Sequence, residues 1–131
     1  MKQGLILFAH GARDARWAQP FEQVAARVRA LQPELVVSLA YLELMQPDLD
    51  TAGQALAQAG CCEVAVLPLF LGAGGHVRKD LPERLDKLRQ AHPDVRWTLQ
   101  PAAGESPRLV EALAQIAVEA TAPKNNDEEP A

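Results

Sequence analysis

The sequence predicts an α/β domain on a four-stranded parallel sheet of order 2-1-3-4, with helices on both faces. Three observations carry this. Apolar runs alternate with amphipathic stretches four times along the 131 residues, the βαβ pattern of a parallel sheet. The first run is continuously apolar rather than alternating, as in a strand covered on both faces. The links are short, which implies right-handed crossovers between neighbouring parallel strands. The common order for such a chain sets strands one and three side by side. The crossover direction reverses between them, so a ligand crevice is expected at their carboxyl ends.

Each element has its own warrant. Strand one is Gly4 to Ala9. Helix one falls within Asp14 to Leu31, where Trp17, Phe21, Val24, Val28 and Leu31 recur at helical spacing as the expected inner stripe. Pro20 should leave a loose first turn ahead of a regular helix. Strand two is "LVVSLAYL", Leu35 to Leu42. Helix two runs from about Asp50 to Ala59 and stops at Gly60. Strand three, Glu63 to Leu69, should end or bulge at Pro68, which has no amide proton. Helix three follows "GAGGHVRK". Asp80 and Glu83 read as a capping box around Pro82, with Leu81, Leu85 and Leu88 inside. Strand four is Val95 to Leu99. Helix four has Ser106 as cap and Pro107 as first residue, with Leu109, Val110, Leu113 and Ile116 expected to face inward. From Thr121 the chain loses hydrophobic periodicity, so the expected organisation is one domain over 1–120 and a disordered tail over 121–131.

Composition narrows the function. The net charge is −4, and the tail's one lysine and three acids account for half of it. No basic face for nucleic acid follows from such a balance. No run approaches the roughly twenty apolar residues of a membrane span, and no signal peptide is legible. The expected location is cytoplasmic. The two cysteines, Cys61 and Cys62, are adjacent and lack zinc-site spacing. They read as reduced thiols at a strand start, one of them buried.

The chemistry gathers at the strand tips. "LILFAHGARD" closes strand one on His10 and Gly11, and "VLPLFLGAGGHVRKD" leads from strand three to His76. Both imidazoles should face the same crevice. Glu43, after strand two, adds a carboxylate. Two imidazoles and a carboxylate suit a borderline divalent metal such as Co²⁺, Ni²⁺, Fe²⁺ or Zn²⁺, and also suit proton transfer near neutral pH. Gly11, Gly72, Gly74 and Gly75 leave backbone open for close approach by a large flat ligand. Arg13, Arg16, Arg78 and Lys79 ring the same end, where they would bind a ligand with several carboxylates. His92, before Pro93, reads as a surface bystander. Each site residue also has an ordinary reading: hydrogen-bonded loop histidines, a carboxylate paired with a neighbouring base, solvated arginines and turn glycines.

"LFAHGARD", "LELMQPDL" and above all "VLPLFLGAGGHVRKDLP" resemble the small class II tetrapyrrole chelatases: the sirohydrochlorin cobaltochelatases and their ferrochelatase and nickelochelatase relatives. The resemblance covers roughly residues 3 to 119. It implies a chelatase-like, flavodoxin-like domain that pairs as a homodimer. Its activity would be ATP-independent insertion of a divalent metal, cobalt first, into sirohydrochlorin. His10 and His76 match the family's active-site histidines and would hold the metal, and Glu43 matches an acidic residue of the same pocket. Arg13, Gly74, Gly75, Arg78 and Lys79 fall where the macrocycle would bind. No cofactor is implied beyond the metal, which is a substrate. Ala12 stands where many members have serine, so no hydroxyl contact is expected there.

Three rivals remain at this level. A histidine phosphatase would need an arginine before the nucleophilic histidine, and Ala9 stands there instead. A flavodoxin-like nucleotide binder would need a Ser/Thr-rich loop after strand one, unlike "HGARDAR". A non-catalytic metal or tetrapyrrole carrier would use the same groups as a chelatase.

Overall fold

The computed structural model describes residues 1–72, 74–121 and 123, and the backbone alone of His76. The expected tail lies outside the described residues, apart from Thr121 and Pro123. The elements are β1 (Gln3–Ala9), a 3₁₀ turn (Ala15–Ala18), α1 (Gln19–Leu31), β2 (Val36–Tyr41), α2 (Leu49–Gln58), β3 (Glu63–Pro68), α3 (Gly75–Ala91), β4 (Arg96–Leu99), a second 3₁₀ turn (Ala103–Glu105) and α4 (Pro107–Ala120). All strand pairs are parallel, in the order β2-β1-β3-β4, as the sequence predicts. Phe8 is level with Ala40 on β2 and Pro68 on β3, so these three strands finish together at one rim. Pro68 is the last residue of β3, and the Leu69 amide makes one further bond to the Phe8 carbonyl at 2.7 Å. Among the described residues no helix is long and apolar enough to cross a membrane.

The main core lies between the sheet and α2 and α3. Ile6, Phe8, Val64 and Val66 meet Leu49, Leu56, Leu81, Leu85 and Leu88 there, and Trp97 closes one side. A smaller core on the other face joins Leu7 and Val37 to Ala25 of α1. Cys61 is buried in the main core and Cys62 is half-buried. Both are free thiols, and burial pushes the Cys61 thiol up.

The ends of α2 show how local chemistry fixes a boundary. The Asp48 carboxylate accepts the Thr51 amide at 2.8 Å. At the other end Gly60 takes φ 93°. Its amide donates to Ala57 and that of Cys61 to Leu56, a Schellman closure. The bond from Thr51 holds the Asp48 carboxyl below its ordinary value. Asp48→Ala should therefore cost about 1 kcal/mol near neutral pH. A depressed carboxyl stabilises the fold above its unfolded pKa of roughly 4, and that contribution fades as pH falls through the lower folded value. Melting curves of the two proteins should accordingly converge in acid. A gap that stays constant to pH 2 would mean that the charge is not what caps the helix.

Three expectations about helices need correction. On α1 the buried residue is Ala25, and Ala18 is buried in the turn before it. Phe21 and Val28 are half-buried, while Val24 and Leu31 are 42% and 61% exposed. Small alanines allow close approach to the sheet, so the inner face follows 18–21–25–28 rather than the largest side chains. Helix α3 begins at Gly75, not near Asp80, and Pro82 lies inside it. The Arg78 amide donates to the Gly74 carbonyl at 3.0 Å, closing the first turn before Asp80. Pro82 has a φ suited to a helix and leaves only the Arg78 carbonyl without its intrahelical partner. The Asp80–Glu83 box is thus absent, although Leu81, Leu85 and Leu88 do face the core. On α4 no residue is buried: Val110, Leu113, Ile116 and Val118 are exposed, and Leu109 is half-buried. The Ser106 side chain makes no capping bond there.

Candidate functional site

The common rim of β1, β2 and β3 is where the candidate residues His10 and Glu43 emerge. His10 leaves β1 with its side chain exposed. Its ring stacks on Phe70, centroids 4.2 Å apart and planes at 27°. Phe70 is itself buried and packs edge-on against Phe8 at 5.9 Å. The imidazole therefore has a fixed apolar back on Phe70, and the residue is exposed. Sequence reasoning missed Phe70. The available signal was an aromatic residue two positions after the strand-ending Pro68, beside the neighbouring strand's histidine.

Backbone bonds join His10 to Glu43. The Leu42 amide donates to the Ala9 carbonyl at 2.9 Å, and the Glu43 amide to the His10 carbonyl at 3.0 Å. Pairing between β1 and β2 thus continues past both strands and brings the exposed Glu43 beside His10. Gly11 turns away with φ 95°, and a Cβ there would collide with the Glu43 carbonyl oxygen. The loop after Glu43 is unusual too: Leu44 has φ 67° and is 59% exposed. Such a conformation is costly for a residue with a γ-branched side chain. Tyr41 is buried below, 6.4 Å from Trp17, which stacks with Phe21. Burial pushes the Tyr41 phenol up, and the nearby Glu22 charge adds to it.

His76 occupies the first turn of α3, after Gly74 at the N-cap. Its imidazole lies outside the described side chains. Among the described residues, a Cβ on Gly72, Gly74 or Gly75 would meet no atom within 4 Å. The described packing therefore does not require glycine there. Gly74, at the N-cap, has no side chain to cap α3, and first-turn amides of a helix favour acidic groups.

Of the predicted cations, Arg16 is already engaged. Asp14 grips its guanidinium at 2.7 Å and also accepts its amide at 2.9 Å. This pairing lowers the Asp14 carboxyl below its ordinary range. Arg13, Arg78 and Lys79 are exposed and make no ion pair among the described residues. Arg78 also lines a cavity of about 150 Å³ with Val77, Leu81, Leu99 and Glu105. That cavity lies along α3 and the end of β4, with Phe70 in its wall. His10 is not among its lining residues, so the imidazole faces the open rim. His92 caps the far end of α3, where its carbonyl accepts the Trp97 indole at 3.3 Å. Among the described residues no three His, Cys, Asp or Glu side chains converge.

The CbiX family model matches residues 4–120, nearly the whole of this fold. The chain belongs to the CbiX family. The CbiX protein of Marinobacter aquaeolei VT8 has a crystal structure that superposes with a TM-score of 0.78 at 36% identity, covering 90% of this chain and 96% of that one. A sirohydrochlorin cobaltochelatase of Sulfolobus acidocaldarius is 26% identical over 117 residues, 89% of this chain and 91% of its own. A sirohydrochlorin ferrochelatase of Bacillus subtilis is 27% identical over 113 residues, 86% of this chain but only 43% of its own length. This CbiX-family chain thus spans less than half of one such relative and almost all of another.

Proposed function

We propose that the chain inserts a divalent metal into sirohydrochlorin without ATP, with cobalt as its metal. One observation carries the reading: the solvent-facing His10 imidazole, backed by Phe70 and joined through the backbone to Glu43, at the rim where α3 begins. Relatives named for sirohydrochlorin and for either cobalt or iron support the substrate and the reaction class.

In this reading metal and macrocycle are both substrates, and no cofactor is retained. His10 and His76 share the incoming ion, since imidazoles hold borderline divalent metals without sealing them in. The macrocycle loses two pyrrole protons as the metal enters. Glu43, beside His10, accepts or relays a proton. Arg13, Arg78 and Lys79 take the carboxylates of the macrocycle, and the open backbone at Gly74 and Gly75 lets its plane come close. The working form is a homodimer in the cytoplasm, with no nucleic-acid or membrane partner.

An anaerobic absorbance assay with sirohydrochlorin and Co²⁺, Fe²⁺ or Ni²⁺ in turn, without ATP, tests the proposal. Turnover beyond one equivalent per chain is expected, fastest with Co²⁺. A single stoichiometric spectral change that then stops would identify a carrier instead. Arg78→Ala should raise KM for sirohydrochlorin with a smaller change in kcat, because a contact made equally in ground and transition states affects binding alone. Added salt should act in the same direction. An unchanged KM would return Arg78 to the solvated surface.

A further inference from the structure

Arg13, Arg78 and Lys79 suit the carboxylates at the edge of a macrocycle, but its conjugated plane is apolar. Ligand sites are lined mainly by apolar side chains, and the rim supplies two. Apart from Met1, the large apolar side chains exposed among the described residues lie on α1 and α4, with two exceptions. Leu44, after β2, is 59% exposed, and Leu71, after β3, is 71% exposed. Strand β1 runs between β2 and β3. His10 therefore leaves the sheet between the two leucine segments. Strands two apart are separated by about 10 Å, comparable with the width of a tetrapyrrole ring.

Neither leucine stands out because its loop is slack. The Tyr41 amide donates to the Pro47 carbonyl at 2.9 Å and closes the base of the first loop. The Glu43 amide, bonded to the His10 carbonyl at 3.0 Å, fixes the residue just before Leu44. Between these bonds Leu44 takes φ 67°, a conformation that glycine or asparagine adopts at lower cost. Being exposed, the leucine recovers little of that cost from packing within the chain. On the other side, the Gly104 amide donates to the Phe70 carbonyl at 2.8 Å. A Cβ on Gly104 would collide with the Leu71 backbone. The Leu71 backbone is thus clamped while its side chain projects. Strain of the kind seen at Leu44 collects at ligand clamps.

We propose that Leu44 and Leu71 hold the flat face of sirohydrochlorin, one on each side of His10, and that Leu44 keeps its strained backbone for this contact at the expense of stability. The inference rests on the chelatase reading and adds to it what grips the ring plane. The cations then fix the edge of the macrocycle and the leucines fix its plane. Small polycarboxylates satisfy only the first of these, so the pair also selects a large flat ligand. The contact is made to the ring periphery rather than the reacting nitrogens, so it acts on binding more than on kcat.

Anaerobic titration of metal-free sirohydrochlorin, followed by absorbance, reads binding apart from metal insertion. Leu44→Asn suits the left-handed backbone and removes the apolar surface. Its Tm should equal or exceed that of the wild type, while Kd for sirohydrochlorin rises roughly tenfold, the effect of losing part of a leucine's burial. Leu71→Asn should act alike on Kd, and the double variant should reach roughly 10²-fold. Leu44→Met keeps the apolar surface and should bind as the wild type does. Leu31→Asn is the control. Leu31 is 61% exposed at the end of α1 that leads back to the start of β2, opposite the rim, and this variant should also bind as the wild type does. An unchanged Kd in the Leu44→Asn, Leu71→Asn double variant, beside a wild type that turns over, would overturn this inference and leave the chelatase reading standing. A wild type that binds no sirohydrochlorin would overturn both. Weaker binding accompanied by a change in sedimenting mass would assign the leucines to a contact between copies and overturn the face contact.

Discussion

His10→Ala is expected to lower turnover of sirohydrochlorin with Co²⁺ by roughly 10²-fold or more, the scale of losing a general acid–base group. In the proposed function the substitution removes a metal ligand and a proton acceptor together. It should cost little stability, since the side chain is exposed and its carbonyl bond to Glu43 belongs to the backbone. His76→Ala should match it in size. Glu43→Gln keeps the shape and removes the charge, and should cost less than either. His92→Ala is the control. That residue sits at the far end of α3, half-buried, with its ring 6.2 Å from that of Trp97 and far from the β1–β3 rim, and the variant should turn over as the wild type does. Initial rates under anaerobic conditions, with melting temperatures alongside, decide the matter. Full activity in a His10→Ala, His76→Ala double variant would reduce both imidazoles to ordinary loop residues.

The largest structural effect is expected at Gly11. Alanine there meets two obstacles at once: a φ of 95° that disfavours any Cβ, and the Glu43 carbonyl oxygen in its path. The backbone must shift, and the bond between the Glu43 amide and the His10 carbonyl is the nearest thing to yield. A cost of about 2 kcal/mol or more follows, or roughly 8 °C in Tm for a domain of this size. Turnover should fall further than stability explains, because His10 and Glu43 lose their shared anchor. Gly74→Ala makes the contrast. Its Cβ would meet nothing within 4 Å, so Tm should hold. If the macrocycle lies against that backbone, KM for sirohydrochlorin should rise. Equal Tm values for Gly11→Ala and Gly74→Ala would show that the loop tolerates a side chain at Gly11.

What the sequence determined by itself was the strand layout and the end of the sheet where the candidate site residues fall. Continuous apolar runs such as Leu5 to Ala9 specify buried parallel strands, and chain handedness allows few ways to join them. The sequence alone therefore places His10, Glu43 and His76 at one end of the sheet, because position after a strand is a one-dimensional property. Gly60 as a helix stop and Pro68 as a strand end were equally local. The tertiary structure decided what depends on contact between distant segments. That Phe70 backs His10 comes from the β1–β3 register, and no spacing rule reveals a stacked pair across strands. Gly11 reads in sequence as an open turn, but it is the Glu43 carbonyl, more than thirty residues away, that forbids a side chain there. The inner face of α1 followed the alanines because close helix–sheet approach rewards small residues over large ones. Helix α4 shows the limit most plainly. Its apolar stripe is fully legible in the sequence, yet periodicity states only that a face seeks burial. The Gln100 amide bonds to Val66 and the Gly104 amide to Phe70, which pins the turn before α4 to the end of β3, and no residue of α4 is buried against the described chain.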